Sequence, residues 1–143
     1  MHRLLARQLR RKDDPRPVVR TLLSLDREAG TMTFAGDMPV GARARFMKAN
    51  FDRLVDGAEG AARISTVSLG EEPATVALLI SCVGRRLVLA QRVEDELEAV
   101  RAALGPAPVL TGFYSYGEIA PWAPGGACTL HNQTMTVTTL REE

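Results

Sequence analysis

The run Ala74-Thr75-Val76-Ala77-Leu78-Leu79-Ile80-Ser81-Cys82 decides the fold class. It is almost continuously apolar, it has the length of a strand, and it is too short to span a bilayer. Apolar side chains at both alternating positions predict a central strand covered on both faces. Beyond Val83-Gly84-Arg85-Arg86 the chain turns apolar again from Leu87 to Ala90. Glu94-Asp95-Glu96 then opens a helix, with acids where the helix dipole favours negative charge. The expected helix runs from Arg92 to Leu104, with Val93, Leu97, Val100 and Leu104 as its buried stripe and Gly105-Pro106 as its stop.

Upstream, Asn50 is a good helix cap, because its side-chain oxygen can accept from the unpaired N–H groups of a first turn. A helix over 50–64 would bury Phe51, Leu54, Val55, Ala58 and Ala62 on one face. Ser68 to Pro73 is a polar loop. Before the helix, Ala42, Ala44 and Phe46 alternate with Arg43, Arg45 and Met47, as in a short strand with one wet face. Val19, Thr21, Leu23 and Leu25 alternate in the same way. The turn-rich Asp26 to Gly30 and the extended Thr31 to Ala35 complete a hairpin pattern. Downstream, Val109 to Phe113 and Thr129 to Leu140 read as the last strands, joined through a Pro/Gly-rich loop at Pro121 to Gly126.

Length and composition set the bounds. The 143 residues are 45% hydrophobic and 24% charged, with 12 Gly and 8 Pro, which fits one soluble domain. Of 18 Lys and Arg, five (Arg3, Arg7, Arg10, Arg11, Lys12) lie in the first twelve positions. The other 131 residues carry 13 basic and 17 acidic side chains, a net −4. So mildly acidic a body argues against nucleic acid as a partner. Leu4, Leu5 and Leu9 give the basic leader helical spacing, and Asp13-Asp14-Pro15-Arg16-Pro17 ends it. The leader reads as a connecting helix, and residues 1–17 are expected to be a linker ahead of a domain over 18–143. No apolar signal core follows Met1, so the expected location is the cytoplasm. Cys82 and Cys128 are then reduced thiols. With two His and no Cys-x-x-Cys, no zinc site is expected, and no cofactor.

Polar chemistry concentrates in three places. Arg85 and Arg86 follow the apolar strand, where a guanidinium can grip a carboxylate through its fork or simply be solvated. Gly112-Phe113-Tyr114-Ser115-Tyr116-Gly117-Glu118-Ile119 holds both tyrosines of the chain. Alternation places Tyr114, Tyr116 and Glu118 on one face, as a polar ligand grip or as a solvent-facing ladder. Leu130-His131-Asn132-Gln133-Thr134 sets four hydrogen-bonding side chains at a strand start. They either face a ligand or bond the local backbone. Cys82 or Cys128 with His131 could form a thiolate–imidazole pair, but Cys82 lies in an apolar run, where thiols are inert. No nucleophile elbow, phosphate loop or Gly-x-Gly-x-x-Gly is present, so the chain reads as a non-enzyme.

The stretches Gly112 to Pro121 and Leu130 to Thr136 resemble the C-terminal domain of FIST proteins. Ser81-Cys82-Val83-Gly84-Arg85 with the acidic helix start is similar to that family too, and the resemblance runs from about Val18 to Leu140. It implies a sensory module of a bacterial signal-transduction protein that binds a small polar ligand such as an amino acid. It also implies a larger N-terminal FIST domain upstream, with the basic leader as the tail of the connection. The expected ligand-binding residues are Arg85, Tyr114, Tyr116, Glu118, His131, Asn132 and Gln133. The alternative is a protein-interaction module that docks to the N-terminal domain or forms a homodimer. The expected fold is α+β, a largely antiparallel sheet of about six strands with two main helices on its apolar face.

Overall fold

The structure is a computed structural model that describes residues 5–10, 17–67, 69–70, 72–123 and 125–142. The class is α+β, but the strands do not form one sheet. Three small sheets hold them. The first is antiparallel, with the order β3-β2-β1-β4, from β1 (Leu5–Arg10), β2 (Pro17–Asp26), β3 (Thr31–Phe34) and β4 (Arg43–Lys48). The β2–β3 hairpin forms where the turn signal stood. Asp26 Oδ1 accepts from the Glu28 and Ala29 amides, both at 2.9 Å, and Gly30 takes the left-handed φ of 64°.

The leader departs from its expected helix. Leu5–Arg10 is a strand between β2 and β4, with Arg7 opposite both Arg20 and Phe46. Isolated leucine spacing cannot register a partner strand almost forty residues away, and that partner decides the outcome. The first residues of the leader and the Asp/Pro break at 11–16 lie outside the described residues.

A helical layer and a second sheet follow. α1 (Phe51–Ser65) starts at Asn50, whose Oδ1 accepts from the Arg53 amide at 3.1 Å. Asn50→Ala should therefore cost about 1 kcal/mol of stability in urea unfolding, with an unchanged slope. β5 (Val76–Cys82) runs into a short helix, α2 (Val83–Leu89), and one turn of 3₁₀ helix. α3 (Val93–Leu104) comes next, and the chain returns through β6 (Val109–Ser115). β6 pairs parallel to β5, and the last strand, β9 (Met135–Leu140), lies antiparallel on the other side of β5. Between them β7 (Glu118–Pro121) and β8 (Cys128–His131) form a two-stranded hairpin.

The core lies between this sheet and the two long helices. Ala58 and Ala62 of α1, Ala77 and Leu79 of β5, Val100 of α3 and Met135 of β9 are buried together. Small side chains on α1 and β5 let the helix lie close to the sheet, where packing density matters most. Two expectations are corrected here. Val83 to Leu89 is helical, which places Arg85 inside a helix rather than at the end of the strand it follows. On α3 the inward position goes to Glu96, which is 1% exposed, while Leu97 is 44% exposed. β5 is also less covered than expected. Ala77, Leu79 and Ser81 are buried under the helices, but Val76, Leu78 and Ile80 on the other face are only half-buried.

Candidate functional site

The turn between β8 and β9, Asn132-Gln133-Thr134, brings the three polar stretches together. Asn132 is buried, and its Oδ1 accepts the Thr21 amide of β2 at 3.2 Å while its Nδ2 donates to the His131 carbonyl. Gln133 adopts φ 61°, a left-handed conformation uncommon for a non-glycine residue. Its Nε2 donates to Thr21 Oγ1 at 3.2 Å. A side chain at Gly84 would run into the Gln133 amide, so α2 lies directly against this turn.

Arg85 is the hub behind it. It is 3% exposed, and its Nε donates to Glu96 Oε2 at 2.8 Å. Its Nη2 bonds the same oxygen and also the Leu54 carbonyl of α1, both at 2.6 Å. Nη1 reaches the Gln133 carbonyl at 3.3 Å. Glu96 Oε1 accepts from Ser81 Oγ at 2.9 Å. One buried ion pair thus joins α1, α2, α3, β5 and the Gln133 turn. Burial makes the pairing obligatory, because an uncompensated charge there would cost several kcal/mol.

Glu118 is buried at the start of β7. Its two carboxylate oxygens accept from Ser115 Oγ at 2.7 Å and from Thr134 Oγ1 at 2.8 Å. His131 Nε2 sits 3.0 Å from both Thr129 Oγ1 and the Ala120 carbonyl, and Trp122 meets its ring edge-on at 5.0 Å. The tyrosines make none of these described hydrogen bonds. Tyr116 is 88% exposed. Tyr114 stacks under Arg86, with 5.2 Å from guanidinium carbon to ring centre. Burial first, and then the Glu96 charge, push its phenol above the usual range. Tyr114, Tyr116 and Glu118 do not share a strand face, because β6 ends at Ser115 and β7 begins at Glu118. Arg85, Glu118, Asn132 and Gln133 therefore converge on one buried network, with His131 beside it.

The network has an open side. A cleft of about 610 Å³ lies between β2, β4 and the start of α1. Lys48, Asn50, Arg53, Leu54 and Gln133 line it. The Gln133 Oε1 atom is buried and has no hydrogen-bond partner among the described residues. Sequence reading missed Lys48 and Arg53, since neither stands in an unusual motif. A smaller cleft of about 260 Å³, lined by Arg20, Asp37, Trp122 and Leu130, opens beside the β7–β8 hairpin.

The thiols differ sharply. Cys82 is buried at the α2 start, and its thiol is raised above the ordinary value by burial, opposed by backbone N–H groups. Cys128 is exposed. Among the described contacts neither thiol hydrogen-bonds His131. Native-state alkylation followed by peptide mass spectrometry should therefore label Cys128 and spare Cys82.

Among the described residues no helix is long and apolar enough to cross a membrane. No curated protein and no solved structure gives a significant match to the chain. A family model, the FIST C domain, matches residues 1–121. The match takes in the basic leader, the Arg85 stretch and the tyrosine strand, and it stops before the Asn132 turn. The chain belongs to the FIST C domain family, a family of sensory domains in signal transduction.

Proposed function

We propose that this sensory domain binds a small polar ligand in the cleft between β4 and the start of α1, without catalysing a reaction on it. The supporting observation is the buried, unpartnered Gln133 Oε1 beside a cleft of small-molecule size. A buried acceptor left unpaired costs about 1–3 kcal/mol, which a ligand N–H donor would recover once the Gln133 amide turns toward the cleft. Lys48 and Arg53 bring positive charge to the same cleft, and Asp52 brings one carboxylate. An amino acid carries both an ammonium donor and a carboxylate, and so suits this pairing. Occupancy would be felt through Gln133 and Leu54, whose carbonyls both accept from Arg85, and onward through Glu96 to α3.

Thermal unfolding across an amino-acid panel tests this. A true ligand at ten times its Kd should stabilise the fold by about 1.4 kcal/mol, a shift of a few degrees. Lys48→Ala with Arg53→Ala should abolish that shift and leave the unliganded melting temperature unchanged, since both residues are exposed. No shift from any member of the panel would reject the reading for amino acids.

A further inference from the structure

β6 is an edge strand, and it lacks the usual protection of one. Edges are normally guarded by charge, proline or a bulge. The β4 edge of the first sheet follows that rule with Arg43, Arg45 and Lys48. β6 reads Val109-Leu110-Thr111-Gly112-Phe113-Tyr114-Ser115, seven residues with no charge and no proline, in a chain that is 24% charged. Val109 and Phe113 are 63% and 59% exposed. They stand on the half-covered face of the sheet, next to Val76 and Ile80 of β5.

The backbone direction is settled by pairing. The Val109 amide donates to the Thr75 carbonyl at 2.9 Å, so Val109, Thr111, Phe113 and Ser115 turn their N–H and C=O groups toward β5. Leu110, Gly112 and Tyr114 turn theirs outward, and no described backbone bond reaches them. Gly112 fits the same picture. Its α-carbon lies against the Leu79 carbonyl, where a side chain would collide.

We infer that β6 pairs with β6 of a second copy, antiparallel about a twofold axis at Gly112. That register sets Gly112 opposite Gly112 and Leu110 opposite Tyr114 of the partner. These are the residues whose groups point outward, so each exchanges paired N–H···O=C bonds. On the half-covered face Thr111 then lies opposite Phe113 of the partner, and Val109 opposite Ser115. Each large side chain meets a smaller one, and no like charges meet. An uncharged strand is self-complementary under a twofold, whereas a strand such as β4 would set its cations against cations. The result is a continuous six-stranded sheet across two chains.

Register-specific cross-linking tests this. Thr111 and Phe113 of the partner form a non-hydrogen-bonded pair, with Cα atoms about 4.5 Å apart, within disulfide reach. In a Cys128→Ser background, Thr111→Cys and Phe113→Cys chains are made separately and then mixed under mild oxidation. Both positions are exposed, so folding is preserved. The mixture should give a covalent dimer, and each variant alone should stay uncrosslinked. Sedimentation of the unmodified chain should show twice the chain mass, and Phe113→Lys should weaken dimerisation at least tenfold. A monomer across a hundredfold concentration range would overturn the inference. So would a dimer in which Thr111→Cys cross-links to itself, or a dimer indifferent to Phe113→Lys. Those last results would point to another surface, such as the face that carries Val76 and Leu140.

Discussion

Arg85→Ala should cost about 3–5 kcal/mol, a large share of the roughly 5–15 kcal/mol that holds an ordinary domain folded. The substitution strands the Glu96 carboxylate, 1% exposed, with only Ser81 Oγ to satisfy it. It also removes the donors that the Leu54 and Gln133 carbonyls accept. Glu96→Ala should be similarly severe, because the guanidinium then loses its counter-charge. The two losses should not add. With both charges replaced by apolar groups, as in Arg85→Met with Glu96→Leu, no buried charge is left unpaired, and the double variant should be more stable than either single one. Urea unfolding of the unmodified chain, Arg85→Met, Glu96→Leu and the double variant closes the cycle. Equal and additive losses would show that the pair is not coupled through burial. The same cycle bears on ligand sensing. A double variant that folds but no longer transmits cleft occupancy to α3, read by hydrogen exchange along Val93–Leu104, would separate the wiring role of the pair from its role in stability.

Gly112→Ala should be as damaging by a different route. A β-carbon there would collide with the Leu79 carbonyl oxygen and lie 2.7 Å from its carbon, inside the parallel β5–β6 pairing. Two backbones face each other at that point, so neither has a flexible side chain to move aside. The strands must separate or shift, at a cost of about 3 kcal/mol or more, since overpacking against backbone cannot be relieved by repacking. Gly30→Ala is the control. Gly30 also needs a left-handed φ, but nothing lies within 4 Å of the added carbon. It should lose only about 1–2 kcal/mol of conformational preference. Melting followed by circular dichroism compares the two, and equal losses would mean that the close approach to Leu79 is relieved elsewhere.

What could be read in advance was local. The Asp26 turn and the Asn50 cap each depend on neighbours a few positions away, and each formed as expected; of the expected α1 face Ala58 and Ala62 are buried, while Phe51 is exposed. The misread parts depended on distant partners. Leu5 and Leu9 suit a helix or a strand equally, and β2 and β4 decided between them. Arg85 was read at a strand end, and α2 formed there, against the Gln133 turn. Glu96 rather than Leu97 faces the inside of α3, where it pairs with the buried Arg85 eleven residues back. The stretch at His131-Asn132-Gln133-Thr134 was visible as unusual polarity. Its partner Thr21, more than a hundred residues away, was not. The cleft was illegible for a related reason, since Lys48 and Arg53 become its lining only once β4 lies beside α1.

The described hydrogen bonds between the four-stranded sheet and the rest of the molecule fall on two adjacent residues, Arg20 and Thr21. That joint adjoins Asn132 and Gln133, and Gln133 also lines the cleft between β4 and α1. One turn therefore both fastens the layers and borders the gap between them, so a group that fills the gap presses on the fastening itself.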